Sequence, residues 1–432
     1  MSIKIKKLSL VTSILSTFLL FSSSCSNENI AGNKLRNDGT SNKVVVDIFQ
    51  TKVEIADQLK NLTDQYTKEH PNITFNIESV GGGEDSASAL KAKFASGNPP
   101  DLFTNEGNKE AEIWKSKLED LSDQPWVKDA YDYALEPMKV NGKIYGQPTN
   151  LEGYGFIYNK ELFVKAGIKK LPKTFSELEG AARKLKTAGI TPFSNGYGEW
   201  WILGQHGINI PFSYQEDSND FINELYEGKT KIEGNEAFKK YLELLDLTLK
   251  YGNNNPLTTD YNTQVTKFAN GEAAMIQQGN WIQPMLDKIK PNMKLGILPI
   301  PLSDDELLTD KLAVGVPTSW VIYNKAPVAD KKAAKEFLTW MVTSKIGKRA
   351  LVKDFKYIPA FKTIEPKGIG PLGNEVLKYS KKGKTFSWKW IDFPDGVKQE
   401  FGVDLQEYIA GQKSKEDVLK TLDVSWDKLK RE

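Results

Sequence analysis

The stretch from Lys43 to Phe103 constrains the fold more than any other part of the chain. Residues 43–49 (KVVVDIF) form a β-branched apolar run, the pattern of a buried strand. Ile55, Leu59 and Leu62 recur at helical spacing with Tyr66 four further on, and this amphipathic helix ends before His70 and Pro71. Residues 73–80 alternate Ile73, Phe75 and Ile77 and predict a second strand, broken by Gly81, Gly82 and Gly83. Residues 86–94 predict a helix ended by Gly97, and 101–103 a short third strand. Strands alternating with helices in this order predict an α/β fold with a parallel sheet and helices on both faces. In such sheets ligands bind beyond the carboxyl ends of the strands. Those ends fall at Gln50 and Thr51, at 81–85, and at Thr104, Asn105 and Glu106.

The same grammar continues. Strands are predicted at 155–158, 273–276, 294–298 and, as one strand-like run, 313–323. Helices are predicted at 160–166, 174–188, 238–250, 331–342 and 416–422. The helix at 174–188 opens on a Thr174/Glu177 pair with capping-box spacing. The 432 residues suffice for two to three domains. No internal repeat or long low-complexity tract is present.

The amino terminus is a leader. Lys4, Lys6 and Lys7 precede an apolar, uncharged run over 8–21, then Ser22, Ser23, Ser24 and Cys25. The run is short for a bilayer span of about 20 residues, so 1–24 reads as a secretory signal peptide, against the competing reading of a retained membrane anchor. Cys25 is the only cysteine, which rules out an internal disulfide. Its place resembles a bacterial lipobox, where the thiol is acylated after cleavage, although Ser22 stands where leucine is usual. Residues 25–42 are polar and read as a flexible tether. Loss of a leader with three lysines and no acid takes the formal charge from +2 to −1. Without a basic excess, nucleic acid is not an expected partner.

Several later stretches are familiar together. SGNPPDLF (96–103), Gly146, Gln147 and Pro148 followed by GFIYNKELF (155–163), and LPKTFSELEGAARKLKTAGITPF (171–193) resemble segments of extracellular solute-binding proteins of carbohydrate ABC importers. In the last of these Phe175 stands where tryptophan is usual. FANGEAAMIQQGNW (268–281), AAKEFLTWMVTSKIGK (333–348), YIPAF (357–361) and LQEYIAGQKSKEDVLKTLDVSWDKL (405–429) are similar to further segments in the same order. The likeness is nearest to the oligosaccharide-binding members and covers nearly all of 43–432.

The resemblance implies a periplasmic-binding-protein-like α/β clamp. It has two lobes, each a sheet flanked by helices, with three interlobe crossings and closure by hinge motion. Lobe one would comprise 43–149 plus 312–357, and lobe two 150–311 plus 358–432. The implied function is capture of an oligosaccharide at the outer face of the cell membrane. Delivery would be to the transmembrane permease subunits of an ABC importer, by a monomer held to the membrane through lipid on Cys25. No cofactor, metal or catalytic residue is implied. A non-sugar cargo in the same clamp (ferric ion, polyamine or peptide) is the main alternative, and a secreted glycoside hydrolase a further one.

Sugars present apolar faces and hydroxyl rims, so aromatic planes with carboxylates and amides are the groups to seek. Ten tryptophans make the chain rich in such planes. Trp200 and Trp201 follow a Gly/Asn-rich loop, with the competing reading that one of them packs in the core. Trp281 closes the Gly279-Asn280-Trp281 motif, whose aromatic the resemblance places in the cleft. Trp388 and Trp390 alternate, which would set them on one strand face. Trp320 lies beside the second expected crossing, while Trp114, Trp126, Trp340 and Trp426 read as packing. Among polar groups, Asn105 and Glu106 follow the third strand, Glu84 and Asp85 follow the glycine run, and Glu152 and Tyr154 sit at the first crossing. Gln278 and Asn280 flank Gly279, and Asp260 and Tyr357 complete the candidates.

Of the only histidines, His70 reads as an exposed helix terminator and His206, five residues after Trp201, as a helix-surface residue, with contact to ligand as the competing reading. Neither has a zinc-type spacing or a G-x-S-x-G elbow, and no Gly-Lys-Ser/Thr follows the glycine run, so these patterns support no metal, triad or phosphate chemistry. Two carboxylates would suffice for a glycosidase, a rival that the resemblance to binding proteins disfavours.

Overall fold

The computed structural model describes residues 43–430. The expected signal peptide, Cys25 and the tether lie outside the described residues. Among those described, no helix is long and apolar enough to cross a membrane.

The first three strands form where the apolar pattern places them, as β1 (Val44–Gln50), β2 (Ile73–Ser79) and β3 (Leu102–Asn105). β1 pairs in parallel with both neighbours, Val44 opposite Ile73 and Ile48 opposite Leu102. Helix Ala56–Glu69 joins β1 to β2 and buries Leu59, Leu62 and Tyr66. Helix Ser86–Ala95 joins β2 to β3, capped by Asp85, whose carboxylate accepts the Ser88 amide at 3.0 Å. The parallel register gathers Gln50, Ser79 and Asn105 at one end of the sheet, so the loops after them meet there.

A hairpin of β4 (Lys139–Val140) and β5 (Lys143–Ile144) precedes β6 (Gln147–Pro148). β7 (Glu152–Asn159) is buried along its whole length, longer than the expected 155–158. Then come β8 (Thr191–Ser194), β9 (Ala273–Gly279), β10 (Leu295–Leu298), β11 (Leu312–Gly315), β12 (Ser319–Ile322) and β13 (Thr385–Phe386). One sheet runs β2-β1-β3-β12-β6 and the other β13-β11-β7-β9-β8, with β10 also on β7. β10 and β11 share one edge of β7, opposite Phe156 to Asn159 and Glu152 to Tyr154 respectively. The chain passes from the first sheet to the second between Pro148 and Glu152. It returns between Gly315 and Ser319 and re-enters the second sheet at β13.

The structure corrects three local expectations. The strand expected over 313–323 is two strands in different sheets, separated at 316–318, because β11 pairs with β7 and β12 with β3. The strand expected to carry Trp388 and Trp390 ends at Phe386, and Trp390 opens a 3-10 turn (Trp390–Asp392). Thr174 caps its helix by accepting the Glu177 amide at 3.3 Å, but Glu177 accepts from Lys173 rather than Thr174, so the box is not reciprocal.

Candidate functional site

The loops at the carboxyl ends of β1, β2 and β3 face segments carried by the second sheet across a cavity of about 290 Å³. That lies near the lower end of the range of small-molecule sites, about 300–1,000 Å³. Lys52, Glu54, Glu84, Glu106 and Glu110 line the first-sheet wall, and Trp200, Trp201, His206, Tyr261, Trp281, Trp388 and Trp390 line the second. The backbone at the glycine run comes close to the far wall. Gly83 has φ +112°, and a Cβ there would meet the Glu199 carboxylate at 2.4 Å.

The aromatic wall is built from four separate segments, with Tyr261 5.3 Å from Trp201 as the one that stands alone on its helix. Trp200 and Trp201 begin a helical turn that continues as a π-helix, Ile202–Gly207, and this turn places His206 among the rings. His206 stacks on Tyr154 at 4.7 Å and lies 4.9 Å from Trp281, 5.2 Å from Trp201 and 5.3 Å from Trp390. Trp388 and Trp390 stack on each other at 4.4 Å. Trp281 follows β9, and its indole N–H donates to Gln278 Oε1 at 3.0 Å. Gly279 makes room for that ring: a Cβ there would meet Trp281 Cζ3 at 2.1 Å.

A buried polar network holds the rings from behind. The Tyr154 hydroxyl donates to the His206 carbonyl at 2.7 Å and accepts from Asn209 at 3.0 Å, while Asn209 accepts the Lys389 amide. Gln278 donates to Gln264 at 2.9 Å, and Asn280 accepts the Gly153 amide at 2.8 Å. Burial lowers the His206 pKa to about 3, helped by the nearby charges of Lys52 and Lys398, so the imidazole is neutral at pH 7. Burial raises Tyr154 well above the usual phenol range.

The opposite wall is charged. Lys52 Nζ donates to both Glu152 oxygens at 2.7 and 2.8 Å, and the Glu152 side chain is 1% exposed. The same ammonium stands 5.5 Å from the Trp281 ring centre, a cation–π contact. Tyr261 donates from its hydroxyl to Glu54 at 2.5 Å and from its amide to Glu199 at 2.8 Å. Burial raises the Glu54 pKa, while the nearby Lys52 opposes that rise. Glu110 accepts the Glu106 amide at 2.6 Å, and burial, reinforced by the neighbouring Glu106 charge, pushes its carboxyl up to about 7. At the rim the walls are tied together by Lys398 to Glu106 at 2.5 Å, Lys91 to Asp395 at 2.8 Å, and Asn108 to Asp392 at 2.8 Å.

Of the residues singled out from sequence, Glu84, Glu106, Glu152, Trp200, Trp201, Trp281, Trp388 and Trp390 meet at this cavity, as does Asp85. Seven others do not line it. Asn105 accepts the Gly107 amide at 2.9 Å and shapes the turn after β3. Tyr154, Gln278 and Asn280 lie behind the rings as their supports. Asp260 caps helix Tyr261–Ala269 by accepting the Thr263 amide. Trp320 is 4% exposed in the main core, because β12 is an inner strand of the first sheet. Tyr357 is also buried behind the cavity. Trp114, expected only to pack, lies in a small core with Phe49 and Phe103 and also reaches the cavity. His206, expected at the surface, is buried among the rings. Sequence reasoning missed Lys52, Glu54, Tyr261 and Lys398. The first two stand just past β1, where the rule of strand ends could have found them.

The profile of bacterial extracellular solute-binding proteins matches residues 52–348. The chain belongs to that family. Among its relatives is the multiple sugar-binding protein of Streptococcus mutans, 24% identical over 70% of this chain and 72% of that protein. An uncharacterised ABC transporter extracellular-binding protein of Pyrococcus horikoshii is 26% identical over 83% and 81%. In three dimensions the chain resembles a chitin oligosaccharide binding protein, with TM-score 0.77, 25% identity and coverage of 91% and 100%. A raffinose complex of the solute-binding protein RafE shares the fold, with TM-score 0.77, 22% identity and coverage of 90% and 100%. The family and these relatives are binding proteins, and two-lobed solute-binding proteins of this α/β architecture are the frame in which the cavity sits.

Proposed function

We propose that this solute-binding protein captures an oligosaccharide outside the cell and delivers it to an ABC importer, without acting on it chemically. The observation that carries this reading is the facing of stacked rings on one wall by carboxylates on the other. The rings of Trp281, Trp390 and Trp388 offer planes to pyranose faces, and Glu106 and Glu84 across from them offer acceptors to hydroxyls, with Glu152 of β7 held by Lys52 at the floor. The names of the relatives, among them multiple sugar- and chitin oligosaccharide-binding proteins, support the same cargo class.

In this reading the first sheet with helix Val328–Thr343 forms one lobe and the second sheet the other. The return between lobes falls at 316–318 rather than before β11. The three passages act as the hinge, and the protein works as a monomer without a cofactor. Acylation of Cys25 holds it to the outer face of the membrane by the tether at 25–42. Mass spectrometry of the native amino terminus tests the anchor: a lipid-bearing Cys25 is expected, and an unmodified terminus at another residue overturns it.

The cargo is tested by a thermal-shift screen of the chain from residue 43 against oligosaccharides of differing linkage. A selective rise in melting temperature with one sugar class is the expected result. A shift with spermidine, ferric ion or a peptide and none with any sugar overturns the cargo. Release of smaller sugars during the screen overturns the absence of catalysis.

A further inference from the structure

The charge at the cavity is lopsided. Seven carboxylates and four lysines line it, and no arginine does. Each lysine has a carboxylate within 3.8 Å, although Lys91 and Lys109 are in exposed pairs. Lys52 holds Glu152, Lys91 holds Asp395 and Lys398 holds Glu106, all within 2.8 Å. Lys109 turns to Glu112 at 3.8 Å. His206 adds no positive charge, because burial keeps it neutral. By contrast Glu54, Glu84 and Glu110 line the cavity with no lysine in salt-bridge contact, and Glu54 Oε2 is buried without a hydrogen bond. Burial raises Glu54 and Glu110, Glu110 to about 7, so at pH 7 Glu110 carries only part of a negative charge.

We infer that the cavity is a charge filter. It accepts oligosaccharides that are uncharged or carry amino groups and rejects those that carry uronate. This rests on the oligosaccharide reading and narrows it. A neutral sugar asks only for acceptors, donors and ring faces, all of which are present. A uronate brings a carboxylate to a wall where Glu54, Glu84 and Glu110 have no lysine in salt-bridge contact, and every lysine it meets already stands beside a carboxylate. Like charges brought together in a partly desolvated site cost affinity directly, whereas unlike charges repay it only where a partner is free. A glucosamine unit brings an ammonium, for which Glu84 is a partner and whose charge favours ionisation of Glu110.

Calorimetric titration of the chain from residue 43 with matched pairs tests the filter. The pairs are galactotriose against trigalacturonate, xylotriose against glucuronosyl-xylotriose, and N-acetylchitotriose against the glucosamine trimer. Each uronate is expected to bind about tenfold or more weakly than its neutral counterpart. That gap is expected to narrow as salt rises from about 20 to about 500 mM. The double variant Glu84→Gln with Glu110→Gln is expected to narrow it at low salt, and an unchanged gap in that variant overturns the assignment to these carboxylates. A uronate that binds as tightly as its neutral partner, or more tightly, overturns the filter and leaves oligosaccharide capture standing. Binding of no sugar at all, neutral or charged, overturns the oligosaccharide reading and the filter with it.

Discussion

The first-sheet wall of the cavity carries most of the charge and the second-sheet wall most of the rings, with Glu152, Asp395 and Lys398 as the charged groups on the second. The difference follows from how each wall is made. The charged wall comes from loops directly at the carboxyl ends of parallel strands, where glycines bring the backbone close and short polar residues follow. The aromatic wall comes from four segments far apart in the chain, at Trp200 and Trp201, at Tyr261, at Trp281, and at Trp388 and Trp390. Buried hydrogen bonds from Tyr154, Gln278 and Asn209 lock them together. One wall can therefore vary by local substitution, while the other depends on the whole second sheet being assembled.

The sharpest way to break this contrast is at the floor, where the walls meet. Lys52→Met leaves the Glu152 carboxylate buried and unpaired, and is expected to lower stability by about 3–5 kcal/mol in urea unfolding. Adding Glu152→Gln to that variant should restore most of the loss. A single variant as stable as its parent would mean that the floor pair is not the junction described. The next effect tests the rings as a unit. Trp281→Ala is expected to weaken binding of the preferred oligosaccharide about 100-fold by calorimetry, while Gly279→Ala, which keeps the ring but displaces it, should cost affinity as well as about 1–3 kcal/mol of stability. Unaltered affinity in Gly279→Ala would separate ring position from recognition.

The walls should also titrate in opposite directions. His206 has a folded pKa of about 3 against 6.5 in the unfolded chain, so below pH 6.5 the unfolded state takes up a proton that the folded state refuses, and stability falls with falling pH. Glu110 has a folded pKa of about 7 against 4.5, so below pH 7 the folded state holds a proton that the unfolded state lacks, and stability rises. Each slope is at most about 1.4 kcal/mol per pH unit, and the two oppose one another between pH 6.5 and 4.5 in the parent. Urea unfolding across this window should show a rising slope on acidification in His206→Gln and a falling one in Glu110→Gln, relative to the parent. Identical slopes in both variants would erase the contrast. The smallest effect belongs to the rim. Lys398→Ala removes a partly exposed pair, and calorimetry should show a loss of about 0.5–1 kcal/mol in binding.

Much of the charged wall was legible in the sequence, since strand ends locate Glu84, Asp85 and Glu106 by a rule that needs only local pattern. Lys52 and Glu54 obey the same rule two to four residues beyond β1. The aromatic wall was legible as a set of candidates but not as an arrangement. Trp281, in the Gly279-Asn280-Trp281 motif, and Trp320, beside a passage between sheets, were both candidates, yet one lines the cavity and the other packs in the core. The strand order that separates them arises from pairings across more than a hundred residues, such as Val321 with Phe103. The spacing from Trp201 offered His206 as a ligand contact, but its burial was not legible locally, because it depends on Tyr154, Trp281 and Trp390 arriving from three other places.

The sequence by itself determined the parallel β1–β3 unit, the end of that sheet where a ligand would lie, and the likeness to solute-binding proteins, because apolar period and chain order are local properties. Only the tertiary structure decided which tryptophans share a surface, which lysines are already spent on carboxylates, and which candidates stand behind the cavity as supports. Those are contacts between distant segments, and distance along the chain carries no information about them until the sheets have closed around one another.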